Sequence, residues 1–303
     1  MNKFIFILNP KSGKGRGAQI FKLLKSLLLE KNINFEIHST TGKMDANAIS
    51  QRIDTASTDT IIAVGGDGTV NEIVNGIIES KKIVKFAVLP IGSGNDFARS
   101  VNLLENWQKV LDYILLSDNY KVIDLAKIEV KDSKSFSRYF ACNCGIGFEA
   151  EVAFQASLNK YLKGLPLYLY SVLKVMKNYS SSHYDGKLDT FEINSKKILI
   201  SIGNGTTAGG GFKLNPFAKL NDGFLDYCVA DDLTKFQILK VLPNAITGNH
   251  IHSKFIAHGK FKTAFFEIDK PTCIHIDGEV ISTNAKYVTI TVMPNSLRTL
   301  CRE

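Results

Sequence analysis

The glycine-rich segment Gly65-Gly66-Asp67-Gly68-Thr69 constrains the fold of this chain most strongly, because it separates two different patterns. Thr60–Val64, before it, is a compact apolar run that predicts a buried strand, and Val70–Ile78, after it, has helical spacing. Glycines at a strand–helix turn let backbone N–H groups approach a polyanion, and the helix dipole adds positive charge. Asp67 is explained if it faces a metal ion or its water shell. The segment predicts a phosphate-binding loop, with a purely structural turn as the alternative.

Strand and helix patterns alternate through the first third of the chain. Predicted strands are Lys3–Leu8, Asn34–Ser39, Thr60–Val64 and Lys85–Leu89, and helical patterns follow at Ala18–Leu29, Asp45–Thr55, Val70–Ile78 and from Asp96 onward. This alternation predicts an α/β domain with a parallel sheet covered by helices on both faces. Ligands of such sheets bind beyond the carboxyl ends of the strands. We therefore expect Asn9–Gly15 and Pro90–Asp96 to meet the glycine-rich segment at one edge of the sheet.

Beyond Val122 the pattern changes to short runs rich in Val, Ile, Phe and Tyr. Predicted strands are Tyr139–Asn143, Lys187–Ile193, Lys197–Ile202, Phe224–Val229, Thr263–Ile268, Cys273–Ile276 and Tyr287–Val292. A helical stretch from Glu151 to Tyr179 interrupts them, with a break at Gly164-Leu165-Pro166. The pattern predicts an all-β antiparallel sandwich. The expected domains are 1–124, to which the segment 294–303 returns, and 125–293.

The net charge and the lengths of the apolar runs limit which partners and which cellular compartment are expected. There are 37 Lys and Arg residues against 29 Asp and Glu residues, and the net charge of +8 attracts anionic partners or merely aids solubility. No stretch approaches the roughly 20 apolar residues of a membrane-spanning helix. The first apolar run ends at Asn9-Pro10, too soon for a signal peptide. The five cysteines form no Cys-x-x-Cys pair, so reduced thiols in a cytoplasmic protein are expected.

Three loop segments together resemble the diacylglycerol kinase catalytic domain family, which includes bacterial lipid kinases and the sphingosine and ceramide kinases. They read Asn9-Pro10-x-Ser12-Gly13, Gly65-Gly66-Asp67-Gly68-Thr69-x-Asn71-Glu72 and Pro90-x-Gly92-Ser93-x-Asn95-Asp96-Phe97-Ala98-Arg99. Further matches are Asn143–Ala150, Gly203-Asn204-Gly205, Gly209–Phe212, Asp222-Gly223-x-Leu225-Asp226 and Ile276–Glu279. The resemblance implies an ATP-dependent lipid kinase in which the first domain binds the nucleotide and the β-sandwich binds lipid and carries the catalytic acids.

The resemblance also implies which residues bind the nucleotide and the metal ion. The implied nucleotide contacts are Asn9, Pro10, Lys11, Ser12, Gly13, Thr40, Thr41, Gly65, Gly66, Asp67, Gly68, Thr69, Asn71, Glu72, Ser93, Asn95 and Asp96. Mg²⁺ is expected on the carboxylate of Asp222 and the backbone carbonyls of Lys219 and Phe224, linked through water to Asp67, Asp96 and Asp124. An ordinary Asn-Asp-Gly turn at Asp222 is the alternative.

Asp277 and Glu279 are the candidate catalytic acids. In a strand, residues at i and i+2 point to the same face, so one acid would take a proton from an attacking hydroxyl while the other orients it. The resemblance places the base in this Asp-Gly-Glu segment without separating the two acids. The alternative is a hairpin turn with solvated acids.

The lipid end of the substrate is expected near Tyr161–Tyr170, a segment dense in Leu and Tyr. This segment would line an acyl-chain groove or touch a membrane, or it would simply form part of the hydrophobic core. The neighbouring lysines, which would suit anionic headgroups, are Lys160, Lys163, Lys174 and Lys177. Further aromatic candidates for lipid contact are Phe212, Phe217, Phe255 and Phe261. Expected partners are a lipid substrate and, transiently, an anionic membrane surface, with no nucleic acid. The expected location is cytoplasmic, peripheral to the inner face of the membrane, and a homodimer is left open.

Diacylglycerol, giving phosphatidic acid in phospholipid biosynthesis, is the default acceptor. Sphingoid bases, ceramide, monoacylglycerol and phosphatidylglycerol stay open, as does ATP against GTP. An NAD kinase is a competing interpretation, because it also carries Gly-Gly-Asp-Gly-Thr before a β-rich domain. A regulatory protein with an inactive site is another, although Asp67, Asp277 and Glu279 are all present.

Overall fold

The computed structural model describes residues 3–132, 135–159, 161–162 and 164–302, except the side chains of residues 164 and 165. The chain divides into two compact units, Met1–Ile123 with Asn295–Glu303 and Asp124–Pro294. The predicted domains, 1–124 with 294–303 and 125–293, differ from these units by one residue at each of the two boundaries.

The first unit alternates strands and helices around a parallel sheet. Its elements are β1 (Phe4–Leu8), α1 (Ser12–Glu30), β2 (Phe35–Ser39), α2 (Asp45–Arg52), β3 (Thr60–Gly65), α3 (Asp67–Glu79), β4 (Lys85–Pro90), α4 (Asp96–Ser100), α5 (Trp107–Leu116) and the first residues of β5 (Tyr120–Lys131). The strand order is β2-β1-β3-β4, and Arg298 and Thr299 of the last strand pair with β4, all in parallel.

The register of this sheet brings three strand ends together. Phe4 pairs with Thr60, and Thr60 pairs with Lys85, so β1, β3 and β4 end side by side. Ile5, Phe6, Ile7 and Leu8 of β1 are almost fully buried, as a strand between two layers of helices must be. The prediction of an α/β domain with a parallel sheet is confirmed.

The described residues of the second unit form antiparallel strands and three α-helices. Its elements are the remainder of β5, β6 (Ser135–Phe140), β7 (Asn143–Gly147), α6 (Phe148–Ser157), α7 (Gly164–Asn178), β8 (Ser182–Leu188), β9 (Phe191–Gly203), β10 (Leu225–Asp231), α8 (Lys235–Thr247), a 3₁₀ turn (Asn249–His252), β11 (Ile256–Phe261), β12 (Thr263–Ile276) and most of β13 (Glu279–Leu300). The predicted antiparallel β-sandwich is confirmed.

Two long strands, β9 and β12, connect the layers of this unit. The first half of each pairs with β8 and the second half with β7, so both strands pass from one layer to the other. Ile146, Ile200 and Ile274 from three different strands are fully buried in the common core. The apolar residues that alternate along these strands therefore pack into one hydrophobic core.

Two predicted strands are wrong because a turn lies inside them. Tyr139–Asn143 spans the break between β6 and β7, where the N–H groups of Ala141 and Cys142 donate to a side chain instead of a neighbouring strand. Lys187–Ile193 spans the hairpin between β8 and β9, and Asp189 there has a φ of 48°. A short turn between two runs of strand-forming residues is difficult to predict from the sequence alone.

Helix α8 has no counterpart among the sequence predictions. It begins with a capping box, in which the Thr234 hydroxyl accepts from the N–H of Gln237 and the Gln237 side chain accepts from the N–H of Thr234. Pro243 lies inside the helix and masks its pattern. The predicted stretch from Glu151 to Tyr179 instead forms α6 and α7, separated near the expected break.

Within the described residues, no helix has the length and hydropathy needed to cross a bilayer. All five cysteines are buried as free thiols.

Candidate active site

The loops that follow β1, β3 and β4 meet in the first unit. The N–H of Asn9 donates to the carbonyl of Val64 at 3.0 Å, and the N–H of Ile91 donates to the carbonyl of Gly65 at 3.0 Å. The side-chain amide of Asn9 also donates to the Thr69 hydroxyl at 3.3 Å. The structure therefore brings the three predicted phosphate loops together.

Glycine is required at two of the contacts between these loops. A Cβ on Gly92 would lie 2.4 Å from the Cα of Gly66, and a Cβ on Gly13 would lie 2.4 Å from the carbonyl oxygen of Ile91. Gly13 also has a φ of +60°, which side-chain-bearing residues rarely adopt. The loops consequently touch through their backbones.

Helix α3 contributes its N-terminus to the same surface. Gly66 is the N-cap residue, and no described side chain caps the helix there. Gly68, in the first turn, is exposed and has open space where a Cβ would be. Unsatisfied N–H groups and the helix dipole make such an end a binding site for an anion.

Asp67 and Asp96 lie in the first turns of α3 and α4. One carboxylate oxygen of Asp67 accepts from the N–H of Phe97 at 3.1 Å, which ties the two helices together. Asp96 is buried, and its carboxylate lies 3.9 Å from the guanidinium of Arg99. Two carboxylates beside a phosphate loop are oxygen donors of the type that Mg²⁺ prefers.

Asn71 and Glu72 do not present their side chains to this surface, although both are predicted nucleotide contacts. Asn71 is fully buried inside α3, where it accepts from the side chain of Asn75. The Glu72 carboxylate accepts from the N–H groups of Met44 at 2.9 Å and Ala46 at 3.1 Å. Glu72 thus caps the N-terminus of α2. We infer that Asn71 and Glu72 stabilise the helices beneath the loops.

The other predicted nucleotide residues divide into loop-closing and exposed groups. Asn95 has a φ of 56°, and its side chain bonds both backbone groups of Gly92 at 3.0 Å, so it closes the third loop. Thr40 is buried, whereas Thr41 donates through its N–H and hydroxyl to Asp45 and lowers the pKa of that carboxyl. Among the predicted nucleotide residues of the loops after β1 and β4, Lys11 and Ser93 are exposed, and Pro10 and Ser12 are partly exposed.

Asp277, in the second unit, is a structural acid in a hairpin turn. It lies between β12 and β13 with a φ of 46°, followed by Gly278 at 79°. Its carboxylate accepts from the N–H groups of Ala141, Cys142 and Asn143 at 2.8 to 3.0 Å. The expectation that Asp277 and Glu279 share a strand face is therefore wrong, because Asp277 belongs to the turn.

Glu279 occupies a different environment from Asp277. It is the first residue of β13, and its side chain keeps 19% of its surface exposed. The guanidinium of Arg138 on β6 lies 3.6 Å from its carboxylate. A partly exposed, oriented carboxylate can exchange a proton with a bound hydroxyl, whereas the buried Asp277 carboxylate already holds three N–H groups.

Asn204 links Asp124 to the strand break that Asp277 holds. Its side-chain amide donates to the carbonyls of Asp124 and Ala141, both at 2.8 Å. The buried Asp124 carboxylate accepts from the N–H of Gly223 at 2.7 Å. One hydrogen-bonded network within the second unit therefore connects the Asp124 region, the Asp277 turn and the Asp222 turn.

A cationic side chain pairs with the acidic groups at the Asp222 turn. The ammonium of Lys260 pairs with one carboxylate oxygen of Asp222 and lies 3.9 Å from that of Asp226. Burial raises the pKa of Asp226 to about 6, against the opposing effect of Lys260. The carboxylates fit the donor chemistry of Mg²⁺, and the metal assignment to Lys219, Asp222, Phe224 and Asp124 stays a prediction.

An apolar cavity of about 70 Å³ lies in the second unit between the sandwich and the helices. Its walls come from α6, α7, α8, β9 and β10, including Tyr168, Leu214 and Leu242. Glu149 lies at this cavity with its Oε1 3.2 Å from the Nε2 of His275; within the described residues, its Oε2 has no hydrogen-bond partner. The cavity combines an apolar wall with one buried carboxylate.

The predicted lipid segment partly lines this cavity. The Tyr168 ring contacts that of Phe212 in a tilted arrangement with centroids 4.0 Å apart, while Tyr161 and Tyr170 are exposed. Of the other aromatic candidates, Phe261 is core, Phe255 is partly buried and Phe217 is exposed. Lys160 and Lys163 lie outside the described residues.

Arg138, Glu149 and Lys260 are candidate site residues that the sequence predictions omit. Arg138 and Lys260 reach their acidic partners across 141 and 38 positions of the chain, so no local pattern indicates them. Glu149 lies inside a segment that resembles the lipid kinases, but nothing in its sequence neighbourhood separates a buried acid from an exposed one.

Comparison with known proteins identifies two matching domain families. The diacylglycerol kinase catalytic domain matches residues 3–128, and the YegS C-terminal NAD kinase β-sandwich-like domain matches residues 143–301. Together they cover both units of the structure.

Curated relatives align over nearly the whole chain. A diacylglycerol kinase of Staphylococcus carnosus is 30% identical over 90% of this chain and 87% of its own. A diacylglycerol kinase of Bacillus subtilis is 28% identical over 92% and 90%, and a Citrobacter koseri protein named "Probable lipid kinase YegS-like" is 28% identical over 98% and 95%.

Solved structures share the fold. A diacylglycerol kinase from Bacillus anthracis has a TM-score of 0.71 at 21% identity, covering 99% of this chain and 97% of that one. Yeast NADH kinase in complex with NADH has a TM-score of 0.56 at 11% identity, covering 100% and 84%. At these identities the likeness shows the fold alone.

The first prediction tests the contact between the phosphate loops. Gly92→Ala is expected to lower the free energy of unfolding by about 1–3 kcal/mol, because its methyl group overlaps the backbone of Gly66. Gly68→Ala is the matched control and is expected to stay within about 0.5 kcal/mol of the parent, since its Cβ enters open space. Chemical denaturation measures both, and equal stability of the two variants would contradict the contact.

The second prediction tests the structural assignment of Asp277. Asp277→Asn is expected to cost about 1.5–3 kcal/mol of stability, because buried N–H groups lose a charged acceptor. Asp189→Asn is the control, since that carboxylate also accepts two N–H groups but is exposed. Thermal unfolding at neutral pH should show the larger loss for Asp277→Asn. A larger loss for Asp189→Asn would refute the assignment.

Proposed function

The chain belongs to the diacylglycerol kinase catalytic domain family and is a lipid kinase, and on that premise we propose that it transfers the γ-phosphoryl group of ATP directly to a hydroxyl of diacylglycerol. The observation that carries the proposal is the joint surface of three glycine loops and the uncapped N-terminus of α3 in the first unit. Such a surface binds a polyphosphate through backbone N–H groups and needs no Walker sequence.

The nucleotide is bound by the backbone of the first unit in this proposal. The amides near Gly66, Gly68 and Gly13 face the phosphates, and Lys11 and Ser93 add exposed polar side chains. Asp67 and Asp96 would hold Mg²⁺ that arrives with the triphosphate, and the ion would neutralise phosphate charge. Within the described residues, no cluster of three or more acidic, His or Cys side chains is arranged to hold a metal. The triphosphate itself would supply further oxygens to the ion.

Glu279 is the proposed general base. It accepts the proton of the lipid hydroxyl as the hydroxyl oxygen bonds to phosphorus and the bond to the β-phosphate oxygen breaks. Arg138 orients the carboxylate from 3.6 Å away. Asp277 keeps the hairpin and the strand break in place, so both acids contribute, but in different ways.

The apolar cavity under α7 and α8 is the proposed entrance for an acyl chain. Its walls are almost entirely apolar, as a lipid tail requires, and Tyr168 with Leu242 closes it from the helix side. At about 70 Å³ it holds only a few water molecules, so an acyl chain enters only if α7 and α8 move outward from the sandwich.

The outer face of α7 and α8 is the proposed contact with an anionic membrane. Large apolar side chains point outward there, with Leu173 53% exposed and Phe236 85% exposed. Exposed Lys174 and Lys177 on α7 and Lys235 and Lys240 on α8 accompany them, which suits anionic headgroups. The Lys235 ammonium donates to the carbonyl of Lys177, joining the two helices. Apolar and basic groups on one face favour a lipid surface over a protein partner.

An acceptor screen tests the function directly. The protein is incubated with γ-labelled ATP and Mg²⁺, and with diacylglycerol, monoacylglycerol, ceramide, a sphingoid base or phosphatidylglycerol in mixed micelles, or with NAD⁺. Label in phosphatidic acid from diacylglycerol is the expected result. Label in NADP⁺ alone would overturn the proposal in favour of an NAD kinase, and label in another lipid alone would correct the acceptor.

The third prediction concerns the base. Glu279→Gln is expected to lower kcat by about 10²–10⁴-fold, because the amide cannot accept the proton. ATP affinity and the melting temperature should stay close to those of the parent, since the amide is nearly the same size as the carboxylate and the side chain is partly exposed. Glu267→Gln, on β12 and hydrogen-bonded to Tyr287, is the control and should keep full activity. Normal turnover in Glu279→Gln would exclude it as the base.

The fourth prediction concerns the membrane face. Phe236→Ser is expected to weaken binding to vesicles containing phosphatidylglycerol by about tenfold, because one aromatic side chain no longer leaves water. Ile83→Ser in the first unit is the matched control, since Ile83 is 81% exposed. Vesicle sedimentation measures both. An equal effect of both substitutions, or no effect of Phe236→Ser, would exclude this face.

A further inference from the structure

Lys260 and two aspartates form a charge cluster at the start of β10. Asp226 on β10 lies directly opposite Lys260 on β11, in an antiparallel pair. The Lys260 ammonium pairs with Asp222 in the preceding turn, and it lies 3.9 Å from Asp226. One positive group therefore serves two carboxylates.

The turn that carries Asp222 is held so that its carboxylate faces this cluster. The second Asp222 oxygen accepts from the N–H of Phe224 at 3.1 Å, and the N–H of Gly223 donates to Asp124 at 2.7 Å. Gly223 has a φ of 75°, which fixes a tight bend. Asp222 thus has one oxygen inside the turn and one directed at the cation.

Asp226 adds negative charge that is not fully compensated. It is 6% exposed, and within the described residues its Oδ2 accepts no hydrogen bond. A buried carboxylate oxygen that accepts no hydrogen bond is costly unless a positive charge lies close, and here that charge is the Lys260 ammonium at 3.9 Å. Two carboxylates facing a single ammonium leave an excess of negative charge, which favours a second positive charge or a divalent ion.

We propose that Lys260 and a divalent cation compete for the same carboxylate oxygen of Asp222, so that Lys260 acts as a built-in counter-ion when no metal is bound. An ammonium and a divalent ion on the same carboxylate oxygen repel each other, so binding of one weakens binding of the other. The lysine side chain is long and 36% exposed, so it can swing into solvent when an ion arrives. The inference does not rest on the lipid kinase activity.

The competition has two consequences for the protein without nucleotide. The Asp222 turn stays ordered in the absence of metal, because the ammonium takes the place of the ion. Divalent ions bind the turn weakly, because each must displace Lys260. Removing the ammonium should therefore strengthen metal binding while weakening the metal-free turn.

The experiment uses the full chain, free of nucleotide, with Mn²⁺ as the metal probe. Lys260→Met is expected to bind Mn²⁺ about tenfold more tightly than the parent at one site, measured by electron paramagnetic resonance of free Mn²⁺. In EDTA its melting temperature should fall by about 1–3 °C, the size of a lost exposed ion pair. Excess Mg²⁺ should restore it, whereas the parent should respond little.

Three further variants make the outcome specific. Lys262→Met removes a neighbouring lysine that lies over the Phe224 ring at 4.9 Å, and it should leave Mn²⁺ affinity unchanged. Lys260→Arg keeps the charge and should behave like the parent. Adding Asp222→Asn to Lys260→Met should abolish the gain. Weak Mn²⁺ binding at the nucleotide loops is expected to be the same in all variants, so it does not affect the difference in Mn²⁺ affinity between them.

Each result decides the proposal. Tighter Mn²⁺ binding in Lys260→Met alone, lost with Asp222→Asn, supports it. Equal Mn²⁺ affinity in the parent and Lys260→Met overturns it, as does the same gain in Lys262→Met, which would reflect net charge only. Kinase activity with diacylglycerol is recorded separately, so an inactive parent would refute the proposed function and leave the competition intact.

Discussion

Backbone contact between Gly66 and Gly92 is the constraint on which the first unit's candidate site depends. It exists because β3 and β4 pair in parallel and end side by side, and because neither loop has a side chain at the point of contact. The loop after β1 joins them through Gly13 and Asn9. We propose that the resulting surface offers amide groups to a polyphosphate, so that a kinase without a Walker sequence can bind its nucleotide.

The Asp277 carboxylate has a comparable role in the second unit. By accepting N–H groups from the break between β6 and β7, it fixes the start of β7 and the hairpin that leads to Glu279. Asn204 extends the same network to Asp124, whose carboxylate holds the Asp222 turn through Gly223. The candidate base and the candidate cation site are thus connected by one buried hydrogen-bond network. A substitution in either turn is therefore expected to alter the geometry of the other turn.

The sequence predicted the two architectures and the meeting of three loops, because strand periodicity and glycine spacing are local signals. It could not separate Asp277 from Glu279, since the donors that lock Asp277 come from residues about 135 positions away. The family resemblance implied nucleotide contacts for Asn71 and Glu72, and these contacts stay a prediction; the burial of Asn71 and the capping of α2 by Glu72 are visible only in three dimensions. Lys260 was missed for the same reason, because its partners lie on a neighbouring strand and turn.

The central claim is that backbone amides of these loops hold a triphosphate. Hydrogen–deuterium exchange with and without a non-hydrolysable ATP analogue and Mg²⁺ measures those amides directly. The account predicts slower exchange at Gly66–Thr69 and in the loops around Gly13 and Gly92, with β8 and β9 unchanged. Protection confined to other segments, or none at a saturating analogue concentration, would contradict it.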